Sequence, residues 1–175
     1  IPFKIVIYIK CIISIIIIVI LTFCLKLSLD LINILFISLF KTYEELLNIH
    51  GTDIMGSLEI PKIQVELPIY HGTTDEVLSN GIGHLEGTSL PIGGENTHSV
   101  LTGHRGLPSA ELFSNLDQLQ RNDEFYIHIL GETLAYKVFH VETVKPEETG
   151  HLAIARGRDR VTLVTCTPYG INTHR

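Results

Sequence analysis

The chain has 175 residues, the length of one domain with an appendage, which excludes a multidomain assembly. Its 13 Lys and Arg against 19 Asp and Glu leave a net charge of −6, so no overall basic field draws nucleic acid. Hydrophobic residues make up 45% of the chain and are concentrated at the N-terminus.

Residues 11–25, CIISIIIIVILTFCL, carry no charge. At about 1.5 Å rise per residue they cover roughly 22 Å, short of the roughly 30 Å hydrocarbon core. Extended back to Ile5 the run spans it, with Lys10 snorkelling to the interface. Lys4 and Lys10 before the run, against Lys26 after it, favour a cytoplasmic N-terminus and an exported remainder. Residues 31–40 form a second apolar stretch, too short to cross as a helix. It reads as an interfacial continuation, with a two-span hairpin as the alternative. A cleaved signal peptide is the competing reading of the N-terminus, but no small-x-small site follows Leu25 and the apolar character continues. The expectation is therefore an uncleaved transmembrane anchor within residues 1–41.

Residues 42–56, TYEELLNIHGTDIMG, are a polar connector that reads as a short helix breaking at Gly51. The remainder, 57–175, contains β-branched or alternating runs at 57–60, 65–70, 98–103, 124–130, 133–144 and 161–166, separated by Pro, Gly and Asn or Asp. That spacing predicts a mainly β domain, a barrel or a sandwich. Gly131-Glu132 between two of the runs suits a hairpin with a type II′ turn. Residues 109–119 carry Leu112, Phe113, Leu116 and Leu119 at helical spacing and predict a surface helix.

The nine histidines include no His-x-x-x-His pair and the chain has no Cys-x-x-Cys, so no metal site is expected. Cys11 and Cys24 lie in the apolar run, which leaves Cys166 as the only thiol of residues 51–175. That region has no internal disulfide. In RVTLVTCTPYGINTHR a predicted strand delivers Cys166 to a Pro-Gly loop, and residues 172–175 begin a return. An antiparallel return brings Arg175 near Cys166, where a guanidinium can lower a thiol pKa or hydrogen-bond an oxyanion. His104 ends another predicted strand and can supply acid/base chemistry across a barrel. From the spacing alone, a buried thiol with an exposed arginine in a hairpin remains the favoured reading.

GSLEIPKIQVELPIYHG, the run to HSVLTGHRGLP, and above all TLVTCTPYGINTHR resemble the class C sortases, pilin-polymerising transpeptidases of Gram-positive bacteria. The resemblance covers about residues 56–175. It implies an eight-stranded sortase barrel with short helices, anchored at the cell membrane with the catalytic domain outside. The implied activity is cleavage of an LPxTG-like sorting signal between Thr and Gly. In the matching motifs Cys166 is the nucleophile, His104 the acid/base and Arg175 the stabiliser of the substrate carbonyl or tetrahedral intermediate. The implied partners are pilins or surface proteins bearing the signal, the Lys amine of an acceptor pilin, and the membrane; no cofactor is required. Arg105, next to His104, is expected to fix a turn.

Two departures from the family pattern carry expectations. No Asp-Pro-aromatic lid motif precedes Val65, so Cys166 is expected to be continuously accessible. The last barrel strand is expected to be truncated at Arg175, which leaves a neighbouring edge unpaired. The alternatives to an active transpeptidase are an inactive fragment that at most binds the sorting signal, and a cysteine protease that hydrolyses its own thioacyl intermediate.

Overall fold

A computed structural model of the protein describes residues 26, 42–48, 51–106 and 112–175. The expected membrane anchor falls, apart from Lys26, outside the described residues, and among those described no helix is long and apolar enough to cross a membrane. Among the described residues from 42 on, seven strands and one short α-helix follow one another: β1 (Ile54–Ile60), β2 (Val65–His71), α1 (Asp75–Asn80), β3 (Ile82–His84), β4 (Thr97–Thr102), β5 (Glu124–Ile129), β6 (Glu132–Lys137) and β7 (Asp159–Val164). They form one sheet in the order β6-β5-β1-β2-β3-β4-β7. The pairs β2–β3 and β4–β7 are parallel, and the rest are antiparallel. The chain is therefore mainly β, a sheet curled into a nearly closed barrel.

Alternation along the strands explains the curl. Leu58 and Ile60 of β1, Ile69 of β2, Ile82 of β3, Leu101 of β4 and Ile127 of β5 are all fully buried and face one shared interior. Phe113, from the loop after β4, fills the same core. Helix α1 starts at Thr74, whose Oγ1 accepts from the Val77 amide at 3.3 Å, and carries Asp75 and Glu76 in its first turn, where the helix dipole favours negative charge. Neither α1 nor the three-residue β3 was visible as a pattern.

Several expectations fail locally. The β5–β6 pairing sets Ile129 opposite Glu132, so the turn residues are Leu130 and Gly131, with φ of 53° and 80°. Two left-handed residues make a type I′ turn rather than type II′, one residue earlier than expected. The predicted strand 133–144 ends at Lys137. After Val138 bonds to Asn122 and Asp123 it leaves the sheet, and Phe139 and Val141 are exposed, because β-branched composition without a ladder partner does not hold a strand. The predicted helix 109–119 is, in its described part, a turn followed by a 3₁₀ segment at Leu116–Gln118. Leu112 has φ of 33°, which breaks helical geometry, yet Leu112, Phe113 and Leu119 are buried as the stripe required. In the connector Tyr43–Glu45 forms one 3₁₀ turn, with Leu47 at φ 61° after it.

Gly103 follows β4 directly. A Cβ there would stand 2.8 Å from Cδ2 of Phe113 and 2.9 Å from Cδ1 of Ile82, both buried side chains. Gly103→Ala is expected to lower stability by about 1–3 kcal/mol, measured by denaturant unfolding, because the Phe113 ring has no room to retreat. Unchanged stability would mean that the core here relaxes freely.

The two sheet edges, β6 and β7, face each other across an open groove of about 260 Å³ lined in part by Tyr136, Val161, Leu163 and Arg175. At one end the Tyr136 hydroxyl donates to Asp159 Oδ1 at 3.0 Å and ties the edges together. Burial first, then the Asp159 charge and hydrogen bond, push the Tyr136 pKa upward, so the hydroxyl keeps its proton. Val161 and Leu163, half-buried and packed on the core, line this groove. Appending five or six β-prone residues after Arg175 is expected to raise Tm by several degrees in a calorimetric scan, by covering this apolar face and pairing the edges. An unaltered Tm would show that the groove does not accept a strand.

Candidate active site

Cys166 lies two residues beyond the end of β7, and His104 two residues beyond the end of β4. These strands are parallel neighbours in matched register, with Leu101 beside Leu163 and Thr102 beside Val164. The pairing runs on past the strand ends: the Gly103 amide donates to Val164 O at 3.1 Å, and Thr165 Oγ1 donates to Gly103 O at 2.9 Å. His104 and Cys166 thus leave two neighbouring parallel strands at the same end of the sheet, each two residues past the last paired position. The His104 carbonyl accepts from the Phe113 amide at 3.0 Å, so the buried Phe113 anchors the backbone that carries the imidazole.

Arg175 arrives from the other side. Thr167 and His174 exchange both backbone hydrogen bonds, at 2.9 and 2.8 Å, as an antiparallel pair. One step along this pairing puts Arg175 across from Cys166. The Arg175 backbone exchanges a second pair of bonds, both 2.8 Å, with Val144, which holds it on its outer flank. Its Nη1 donates to Asn172 O at 3.1 Å and His174 O at 3.0 Å. A guanidinium has five donor hydrogens, so these bonds orient it without exhausting it.

The backbone thus gathers all three residues singled out in the sequence at one corner of the barrel, each half-buried. Among the described residues no hydrogen bond links the three side chains to one another; such contacts commonly tighten only with substrate in place. The loop after Cys166 touches the loop after His104, because the Tyr169 ring packs directly on Gly106.

Arg105 does fix a turn. Its Nη2 pairs with Asp117 Oδ2 at 2.5 Å, tying the segment after β4 to the 3₁₀ turn. Thr165 went unnoticed in the sequence, although its hydroxyl clamps the two strands that deliver His104 and Cys166; its place immediately before the thiol was the available signal. Two histidines are more enclosed than the sequence suggested. His98 is buried between Thr162 Oγ1, at 2.7 Å, and Ala153 O, at 3.1 Å, and His84 is 0% exposed. Among the described residues no cluster of His, Cys, Asp and Glu is arranged to hold a metal ion.

The Sortase domain profile matches residues 58–175. The chain is 31% identical over 114 residues to sortase D of Bacillus subtilis, covering 65% of this chain and 54% of that protein. With sortase A of Staphylococcus aureus the figures are 30% over 124 residues, 69% and 58%. The chain thus spans little more than half the length of these relatives. Among solved structures, sortase C1 of Streptococcus agalactiae superposes with a TM-score of 0.74 at 56% identity, covering 75% of this chain and 68% of that one. Sortase C-1 of Actinomyces oris gives 0.73 at 55% identity, covering 75% and 72%.

Proposed function

This chain belongs to the sortase family, and on that premise we propose that it is a membrane-anchored cysteine transpeptidase that joins pilin subunits. The observation that carries the reading is the matched parallel register of β4 and β7, which delivers an imidazole and a thiol from residues 104 and 166 to one corner. In the proposed reaction the Cys166 thiolate adds to the carbonyl carbon of the Thr–Gly bond in an LPxTG-like signal. The C–N bond breaks as His104 gives its proton to the departing glycine amine, and a thioester remains. A Lys amine of the acceptor pilin then attacks the thioester while His104 takes up the proton. An isopeptide bond forms and the thiolate leaves. Arg175 donates to the carbonyl oxygen while it carries negative charge. The uncharged run 11–25, with Lys4 and Lys10 before it, supports an anchor that holds the catalytic domain on the extracellular side.

Mass spectrometry of the full chain with an LPxTG-like peptide tests this reading. The expected result is a mass gain on Cys166 equal to the peptide up to its Thr, discharged to an isopeptide when a Lys-bearing pilin is added. Discharge to water alone would make the protein a thiol hydrolase. The bonds of Arg175 to the Asn172 and His174 carbonyls favour a second reading, in which the corner binds the signal without turning it over. Peptide binding with no adduct would establish that reading.

A further inference from the structure

At the far end of β3 from the thiol, a phenol of the segment 43–48 meets a buried imidazole of the barrel, beside the packing of Leu47 on the core and the hold of His71 on the Leu46 carbonyl. The Tyr43 hydroxyl accepts from the Gly72 amide at 3.0 Å and lies 2.8 Å from Nδ1 and 3.0 Å from the carbonyl oxygen of His84. Its ring sits between two imidazoles, 5.1 Å from His71 and 5.7 Å from His84. Nε2 of His84 faces Ser89 O at 2.9 Å, and a carbonyl only accepts, so Nε2 carries the hydrogen. In the neutral ring Nδ1 is then bare and takes the hydrogen of Tyr43.

We propose that residues 43–48 form a proton-released strap: neutral His84 holds Tyr43 against the barrel, and proton uptake at His84 lets the segment go. With the strap closed, a proton on Nδ1 leaves Tyr43 the His84 carbonyl as its acceptor but encloses a positive charge in a side chain that is 0% exposed. With the strap open, that charge meets water. Protons therefore bind the open form more tightly, and by linkage they open it. The ionisable groups around the ring are Tyr43 and Glu44 of the strap, His71 of β2 and Glu86 of the loop after β3, while β4 sets apolar Leu101 opposite. Burial, followed by the charge of His71, lowers the His84 pKa, and its hydrogen bond to Ser89 only partly offsets this.

The ring nitrogens of His71 face the Leu46 and Asp53 carbonyls and give the strap a second hold, at a side chain partly open to solvent where His84 is sealed. The sign is explicit: a folded value below the ordinary one of about 6.5 leaves the strap fully held above pH 6.5 and progressively loosened below it.

The test is amide hydrogen exchange of Leu46 in the full-length protein in detergent, expressed as protection relative to an unstructured peptide at each pH, with Ile127 in the core as reference. Between pH 7.5 and 5.5 the strap's opening constant is expected to rise about tenfold while Ile127 stays unchanged. His84→Gln is expected to abolish that dependence. Should that variant fail to fold, Tyr43→Ala replaces it: with the strap detached, the NMR titration midpoint of His84 is expected to rise toward 6.5. Protection that is flat with pH, protection that increases in acid, or a His84 midpoint unmoved by Tyr43→Ala each overturns the proposal. None of these readouts depends on transpeptidase activity, so the strap and the proposed function stand or fall separately.

Discussion

Cys166→Ala is expected to abolish the covalent adduct with a sorting-signal peptide, a fall in turnover on the order of 10⁶ if the corner residues act as one catalytic unit. A methyl group cannot form a thioester, and Cys166 is the only thiol of residues 51–175. Replacing Cys11 or Cys24, both in the apolar N-terminal run, is expected to leave the adduct intact. The fold offers a clean control, because Cys166 is half-buried beyond the end of β7 and outside the apolar core cluster. Circular dichroism of the variant should match that of the parent. An adduct that survives the substitution removes the proposed chemistry altogether.

His104→Ala is expected to lower the rate of adduct formation by roughly 10² to 10⁴, the usual range for a positioned acid/base. The fall arises because the departing glycine amine must be protonated as the C–N bond breaks, and water is a poor donor at neutral pH. Stability should change little, since the structural duty of this residue is carried by its backbone carbonyl, which accepts from Phe113 in either variant. Combining the substitution with Cys166→Ala should add nothing further, as groups of one catalytic unit are not additive. A variant that loses its far-ultraviolet spectrum along with its activity would instead make His104 a residue of the fold.

The strap and the corner occupy different parts of one barrel, and both depend on which strands are neighbours. β3 carries His84 toward the strap, while its antiparallel partner β4 carries His104 toward the thiol.

Alternation of apolar residues by itself determined the mainly β character and the position of the six longer strands, with the end of β6 overrun, because period-2 burial is a local property of the chain. It also marked residues 112–119 as core-facing, and the burial of Leu112, Phe113 and Leu119 agrees. The motif TLVTCTPYGINTHR determined the family, and the antiparallel return from Cys166 to Arg175 could be read because the two residues share one short loop. Tertiary structure alone decided the rest. The parallel adjacency of β4 and β7 joins residues 62 positions apart, as in the Gly103–Thr165 bond, and no local pattern encodes which strand lies beside which. The turn at Leu130–Gly131 shifted by one residue because burying Ile127 and Ile129 in the core sets the register, and the turn takes whatever residues that register leaves. The segment 139–144 has strand composition and forms no strand, since a ladder needs successive partners and past Val138 the backbone pairing given for the described residues is that of Val144 with Arg175. The enclosure of His84 under Tyr43 arises from a contact across 41 residues, created only when the barrel closes and the connector folds back onto it.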